Sequence, residues 1–155
     1  MAYHLVNSLE YHYITFNHIL NNARAIILWG ELSHNLKLIE LGHNILLKEL
    51  PKLITEDGFL REGSSHYQFI VTRWIFDIKT KSSAKYRSFN QFIETYLNKM
   101  ISCCHFFILN NSSSLFPLFG DISPDYSPSW ILDYFKKYIS PYSYIRQMAF
   151  FPKSG

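Results

Sequence analysis

The sequence predicts an all-α fold, on three observations. Apolar residues recur at three- and four-residue steps along nearly the whole chain, the period of a helix face packed on a core. No useful run of the two-residue alternation that marks a half-buried strand is present. The breaks between periodic segments carry capping and turn residues, and one is only a few residues long, as in helical hairpins. With 155 residues, 48% apolar and 17% charged, the chain is one ordinary domain or a piece of a larger one, and it can bury a core.

The first helix is predicted over about Asn17–Leu32, with Phe16, Ile19, Leu20, Ala23, Ile26 and Ile27 on its apolar side. Ser33 and Asn35 supply a turn and a cap. A second helix carries Leu36, Ile39, Ile45, Leu46 and Leu50 and is expected to break near Pro51 or shortly after. In TEDGFLREGSS, Gly58 and Gly63 suit backbone angles that other residues avoid, and Ser64 or Ser65 is a natural N-cap. The third helix shows the stripe Tyr67, Ile70, Val71, Trp74, Ile75 and Ile78. After a polar connector, a long fourth helix carries Phe89 through Ile108. An irregular stretch with three prolines follows; a loop of that length in a helical domain is usually functional. Trp130, Ile131, Tyr134, Phe135 and Tyr138 mark a fifth helix, ended by Pro141.

Composition excludes several classes. A net charge of +3 without a dense Lys/Arg run argues against a nucleic-acid partner but is compatible with an acidic carbohydrate. No apolar run of about eighteen residues is present, so no membrane span is expected. Met1 begins no basic-then-apolar leader, so no signal peptide is expected. Cys103 and Cys104 are adjacent in a helical pattern; buried thiols are expected rather than a mutual disulfide, and two ligands do not make a zinc site. The seven histidines show no metal-binding spacing, so neither metal nor other cofactor is expected. The 17% of aromatic residues suits a core, and also a platform on which sugar rings stack.

If the helices alternate in direction, three polar groups come to one end of the bundle: Asn17 and His18, then His66 and Tyr67, then the loop of Gly120, Asp121, Ile122 and Ser123. Two helix N-termini there favour an anion such as a carboxylate. Asn17 donates an amide N–H, His18 donates or carries charge, and Tyr67 is a hydroxyl capable of acid or base work. Each residue also has a plain structural role: Asn17 as a cap, His18 as a surface residue, Tyr67 as core, and Asp121 and Asp125 as turn formers beside proline.

These residues resemble the heparinase II/III family of polysaccharide lyases. FNHILNNARAIILWGEL (residues 16–32) is similar to the family's Asn-His helix. LPKLITEDGFLREGSSHYQFIVTRWIFDI (residues 50–78) is similar to its second signature, through Asp57, Gly58, Glu62, Ser64 and Tyr67. FPLFGDISPDYSPSWI (residues 116–131) is similar to a Gly-Asp loop of bacterial members linked with surface-polysaccharide gene clusters. The resemblance implies part of an incomplete (α/α) toroid over residues 1–155, with the family's C-terminal β-sandwich domain or chain not represented. It implies β-elimination at a uronate of an acidic polysaccharide, such as a glycosaminoglycan or an alginate-like polymer. Asn17 and His18 would neutralise the carboxylate and Tyr67 would be the acid; His66, Glu62 and Asp121 would bind substrate. Family members are typically periplasmic or secreted. The family commonly has His after the Tyr, where this chain has Gln68, and a further family histidine that is a base candidate lies beyond this region. The alternatives are a carbohydrate-binding or polysaccharide-assembly protein that keeps the groove without the chemistry, and a purely structural helical bundle.

Overall fold

The computed structural model describes residues 6–10, 17–109 and 116–142. Phe16 and the first six residues of the proline-containing stretch, both part of the expectations above, lie outside them. Among the described residues these α-helices follow one another: α1 (Asn17–Leu32), α2 (Leu36–Leu53), α3 (Ser65–Lys81), α4 (Arg87–Leu109) and α5 (Pro128–Tyr134). Beyond α5 the chain widens into a π turn (Phe135–Ile139) and then tightens into a 3₁₀ turn (Ser140–Tyr142). Among the described residues the sole β pairing is an isolated bridge between Ile54 and Leu60. The architecture is all-helical, and no described helix is long and apolar enough to cross a membrane.

The chain divides into two compact units. The first comprises Met1–Leu53 with Trp74–Glu94. In it α1 and α2 form an antiparallel hairpin. Asn35 N–H donates to the Gly30 carbonyl at 2.9 Å and His34 N–H to Glu31 at 3.3 Å, while His34 takes a left-handed φ of 53°. That pair of bonds closes α1 as a Schellman motif, and Asn35 at once caps α2 by accepting from Leu38 N–H at 3.3 Å. The helices approach closely because Gly30 faces Ile39 and Gly42 faces Ile27 and the Ala23 carbonyl, leaving no room for a Cβ. Segment 74–94 docks on the hairpin through Arg24, which donates to Asp77 Oδ2 at 2.6 and 3.0 Å, and through Ser83 N–H to Glu31 at 2.8 Å.

α2 passes through Pro51 and ends at Leu53, shortly after the proline, as expected. The ring removes one hydrogen bond, to the Leu47 carbonyl, in the last turns of the helix. Leu47 is exposed, which leaves that carbonyl near solvent.

The second unit comprises Ile54–Arg73 with Thr95–Gly155. Its core gathers rings on Phe69, which stacks on Phe116 at 4.2 Å and meets Phe135 edge-on at 5.2 Å. α3 departs from the single stripe expected of it: Gln68, Phe69, Thr72 and Phe76 are buried alongside Ile70, Val71 and Ile75. Two polar side chains are tolerated there because both are satisfied. Thr72 Oγ1 donates to the Gln68 carbonyl at 2.6 Å, and its contact with Cys104 Sγ is 3.4 Å.

Gln68 is a two-ended clamp. Its Oε1 accepts from Leu60 N–H at 2.7 Å, and its Nε2 donates to the Gly58 carbonyl at 3.0 Å. Gln68→Ala leaves a buried donor and a buried acceptor unpaired, so a stability loss of about 2–4 kcal/mol is expected. A urea denaturation midpoint measures it; a loss under about 0.5 kcal/mol, the range of a neutral surface change, contradicts the clamp.

Candidate functional site

In the second unit the start of α3 is latched to the loop at residues 116–123. Ser64 N-caps the helix by accepting from Tyr67 N–H at 3.0 Å, while its hydroxyl donates to the Asp121 carbonyl at 2.6 Å. Ser65 N–H donates to the Phe119 carbonyl at 3.2 Å, and Phe119 N–H returns a bond to Ser65 Oγ at 3.1 Å. Gly120, with φ 73°, lies so close to Gly63 and Ser64 that a Cβ would meet the Gly63 carbonyl oxygen at 2.5 Å. Two glycines thus let the backbones touch, and two serines fasten them.

His66 sits inside this latch with no solvent exposure. Its Nδ1 accepts from Ser123 N–H at 3.2 Å, which places the ring proton on Nε2 in the neutral form. Burial lowers its pKa, keeping it neutral and able to accept. Nε2 is buried without a hydrogen-bond partner among the described residues. A buried N–H of that kind destabilises the fold by about 1–3 kcal/mol unless something occupies it. Tyr67, next along, is half-buried, with its ring 6.4 Å from that of His66.

The expectation of open backbone donors at this helix start is corrected. Ser65, Tyr67 and Gln68 N–H groups are taken by the Phe119 carbonyl, Ser64 Oγ and the Ser64 carbonyl. The latch that holds the loop uses the donors that an anion would need.

Other expected site residues divide between the units. Asp121 is exposed; its carbonyl joins the latch, and its carboxylate accepts from Ile122 N–H at 2.9 Å. Glu62 is half-buried in the turn before α3. Asn17 and His18 belong to the first unit. Asn17 is buried at the first position of α1, whereas the His18 side chain is 62% exposed, with Nδ1 3.0 Å from the Glu10 carboxylate. Asn22, which sequence reasoning missed, is buried one turn on; it donates to the His18 carbonyl at 3.0 Å and accepts from Glu10 N–H at 3.3 Å. A polar residue on the apolar side of α1, one turn after the Asn-His pair, was the available signal.

The described residues contain no group of three or more His, Cys, Asp or Glu side chains able to hold a metal ion. Both cysteines are free and buried, and burial pushes the Cys103 thiol up to about 12. No family model, curated protein or solved structure matches the chain.

Proposed function

We propose that the chain is part of a polysaccharide lyase of the heparinase II/III type, its helices forming part of an (α/α) toroid, and that it acts on a uronate-containing polysaccharide. One observation carries the reading: Tyr67 follows a buried His66 whose Nδ1 is fixed by the Gly-Asp loop, so two sequence signatures 57 residues apart meet in one latch. A rigid helix start is what positioning a general acid requires.

In the proposed reaction the uronate carboxylate is neutralised by hydrogen bonds, the part the resemblance gives to an Asn-His pair, which makes the C5 proton less unfavourable to remove. A base takes that proton. The C5–H electron pair becomes the C4–C5 double bond as the C4–O bond breaks, and Tyr67 O–H protonates the departing oxygen. The products are an unsaturated uronate end and a new reducing end. Glu62 and Asp121 are assigned to holding substrate; His66, expected to do so too, is fully buried and instead fixes the loop behind Tyr67. Gln68, at the position where the family commonly has His, is committed to the Gly58–Leu60 turn and has no acid–base part.

The test is Tyr67→Phe in the complete gene product. Turnover should fall about 100-fold or more, the usual contribution of a positioned proton donor, with binding of the polymer retained. Absorbance of newly formed unsaturated ends reports it, and equal activity in the two forms removes Tyr67 as the acid.

The binding-only alternative, a carbohydrate-binding protein without chemistry, is favoured by one feature of its own, a partly exposed row of aromatic rings along α5 and its flanking turns.

A further inference from the structure

Tyr126, Trp130, Tyr134 and Tyr138 stand four residues apart. Neighbouring ring centroids are 5.3, 5.5 and 4.9 Å apart, and the Tyr126 and Trp130 planes differ by only 21°. The rings are shingled from the turn before α5, along one side of that helix, to the π turn after it. In a plain α-helix each four-residue step drifts about 40° around the axis. The wider turn at Phe135–Ile139 winds less per residue and offsets that drift, keeping Tyr138 in line with Tyr134. Ordinary core packing does not account for the row, because Trp130 is 43% and Tyr138 47% exposed while Ile131, Phe135 and Ile139 face the core.

Arg73 lies against the same rings, its guanidinium carbon 5.1 Å from the Tyr126 centroid, 4.9 Å from Trp130 and 4.8 Å from Tyr134. Its Nε and Nη1 are buried without hydrogen-bond partners, and among the described residues no carboxylate pairs with it. Those buried nitrogens put the cation on the protein side of the rings. Lys137 adds a second cation, 5.0 Å from the Tyr138 centroid. A positive charge set against three ring faces with two of its nitrogens buried and unpaired is an unusual arrangement. It draws electron density inward and leaves the outer faces better suited to an anionic partner than to a neutral one. Asp133, exposed beside Tyr134, and Asp125 at the start of the row are the acidic groups nearby in sequence.

We infer that this row is a stacking subsite for an acidic oligosaccharide, whose pyranose C–H faces lie along the rings and whose carboxylates answer the charges of Arg73 and Lys137. The spacing of the rings, about that of successive sugars in an extended chain, favours a polymer over a single sugar or a peptide. The choice of an acidic glycan rests on the lyase reading, whereas the row itself lies on a different face element from Tyr67.

Affinity electrophoresis of the complete gene product separates the two. Gels contain alginate, hyaluronan or heparin, or the carboxyl-reduced neutral form of whichever polymer retards the protein. Retardation by an acidic polymer is expected, about tenfold weaker in the Trp130→Ala, Tyr138→Ala double variant and restored by Trp130→Tyr with Tyr138 intact. Melting temperature should fall only modestly, since both side chains are partly exposed and Arg73 keeps the Tyr126 and Tyr134 faces. Unchanged retardation in the double variant, no retardation by any of the three, or equal retardation by the neutral form overturns the subsite. Weakened retardation without any unsaturated ends upholds the subsite and removes the lyase reading. Unsaturated ends with unchanged retardation in the double variant do the reverse.

Discussion

Gly58→Ala should destabilise the second unit by about 3 kcal/mol or more, well above a typical single substitution. Two effects add. Gly58 has φ 97°, where a side chain is strained by roughly 1–2 kcal/mol. An added Cβ would also sit 2.5 Å from the Lys99 carbonyl carbon and 2.7 Å from its oxygen, and α4 backbone cannot rotate aside as a side chain would. Moving the turn instead breaks the bond from Gly58 N–H to Thr55 and the one from Gln68 to the Gly58 carbonyl. Gly63→Ala is the control. Gly63 has φ 68° with nothing within 4 Å of its Cβ position, so only the conformational part, about 1 kcal/mol, should appear. Denaturant midpoints compare the pair, and equal losses contradict the clash.

Acid should destabilise the protein through His43. Its ring is 7% exposed, stacks on Phe89 at 3.5 Å and meets Tyr86 edge-on at 4.9 Å. Burial lowers its pKa from 6.5 to about 4, with Glu31 pulling weakly the other way. The unfolded chain therefore takes up a proton near pH 6.5 that the folded chain refuses until about pH 4. Stability from this group is intact above pH 6.5 and falls with the pH through that window. The full loss is about 3 kcal/mol. His66 and His105, also lowered by burial, act in the same direction. His43→Phe keeps the stack and removes the proton. Its denaturation midpoint should fall much less than the wild type's between neutral pH and mild acid; parallel curves for the two would assign the acid sensitivity elsewhere.

Helix positions were legible because they follow from local chemistry. The α1 apolar period and its Ser33–Asn35 exit mark Asn17–Leu32, the span observed, and Ser64 caps α3 as a serine after glycine should. Pro51 signalled the end of α2, which stops at Leu53: the ring removes one bond in the last turns and so need not end the helix at the proline itself. The candidate site was legible in part. Ser64, His66, Asp121 and Ser123 do come together in the second unit, as the order of helices and loops suggested. The use of the helix-start donors by Phe119 and Ser64 was not visible, since sequence does not say which acceptor reaches a backbone N–H first. The row on α5 was hidden for another reason. Trp130, Tyr134 and Tyr138 share a helical period with Ile131 and Phe135, and period alone does not tell an exposed face from a buried one.

The most direct test of the account is the behaviour of the complete gene product towards one polymer in two forms. A uronate polysaccharide that it degrades should yield unsaturated ends, read by ultraviolet absorbance, and the same polymer with its carboxylates reduced to alcohols should yield none. Without the carboxylate, the C5 proton has no neighbouring group to acidify it. Equal yields from the two forms, or the absence of unsaturated ends from every uronate polymer tried, would contradict the proposed β-elimination.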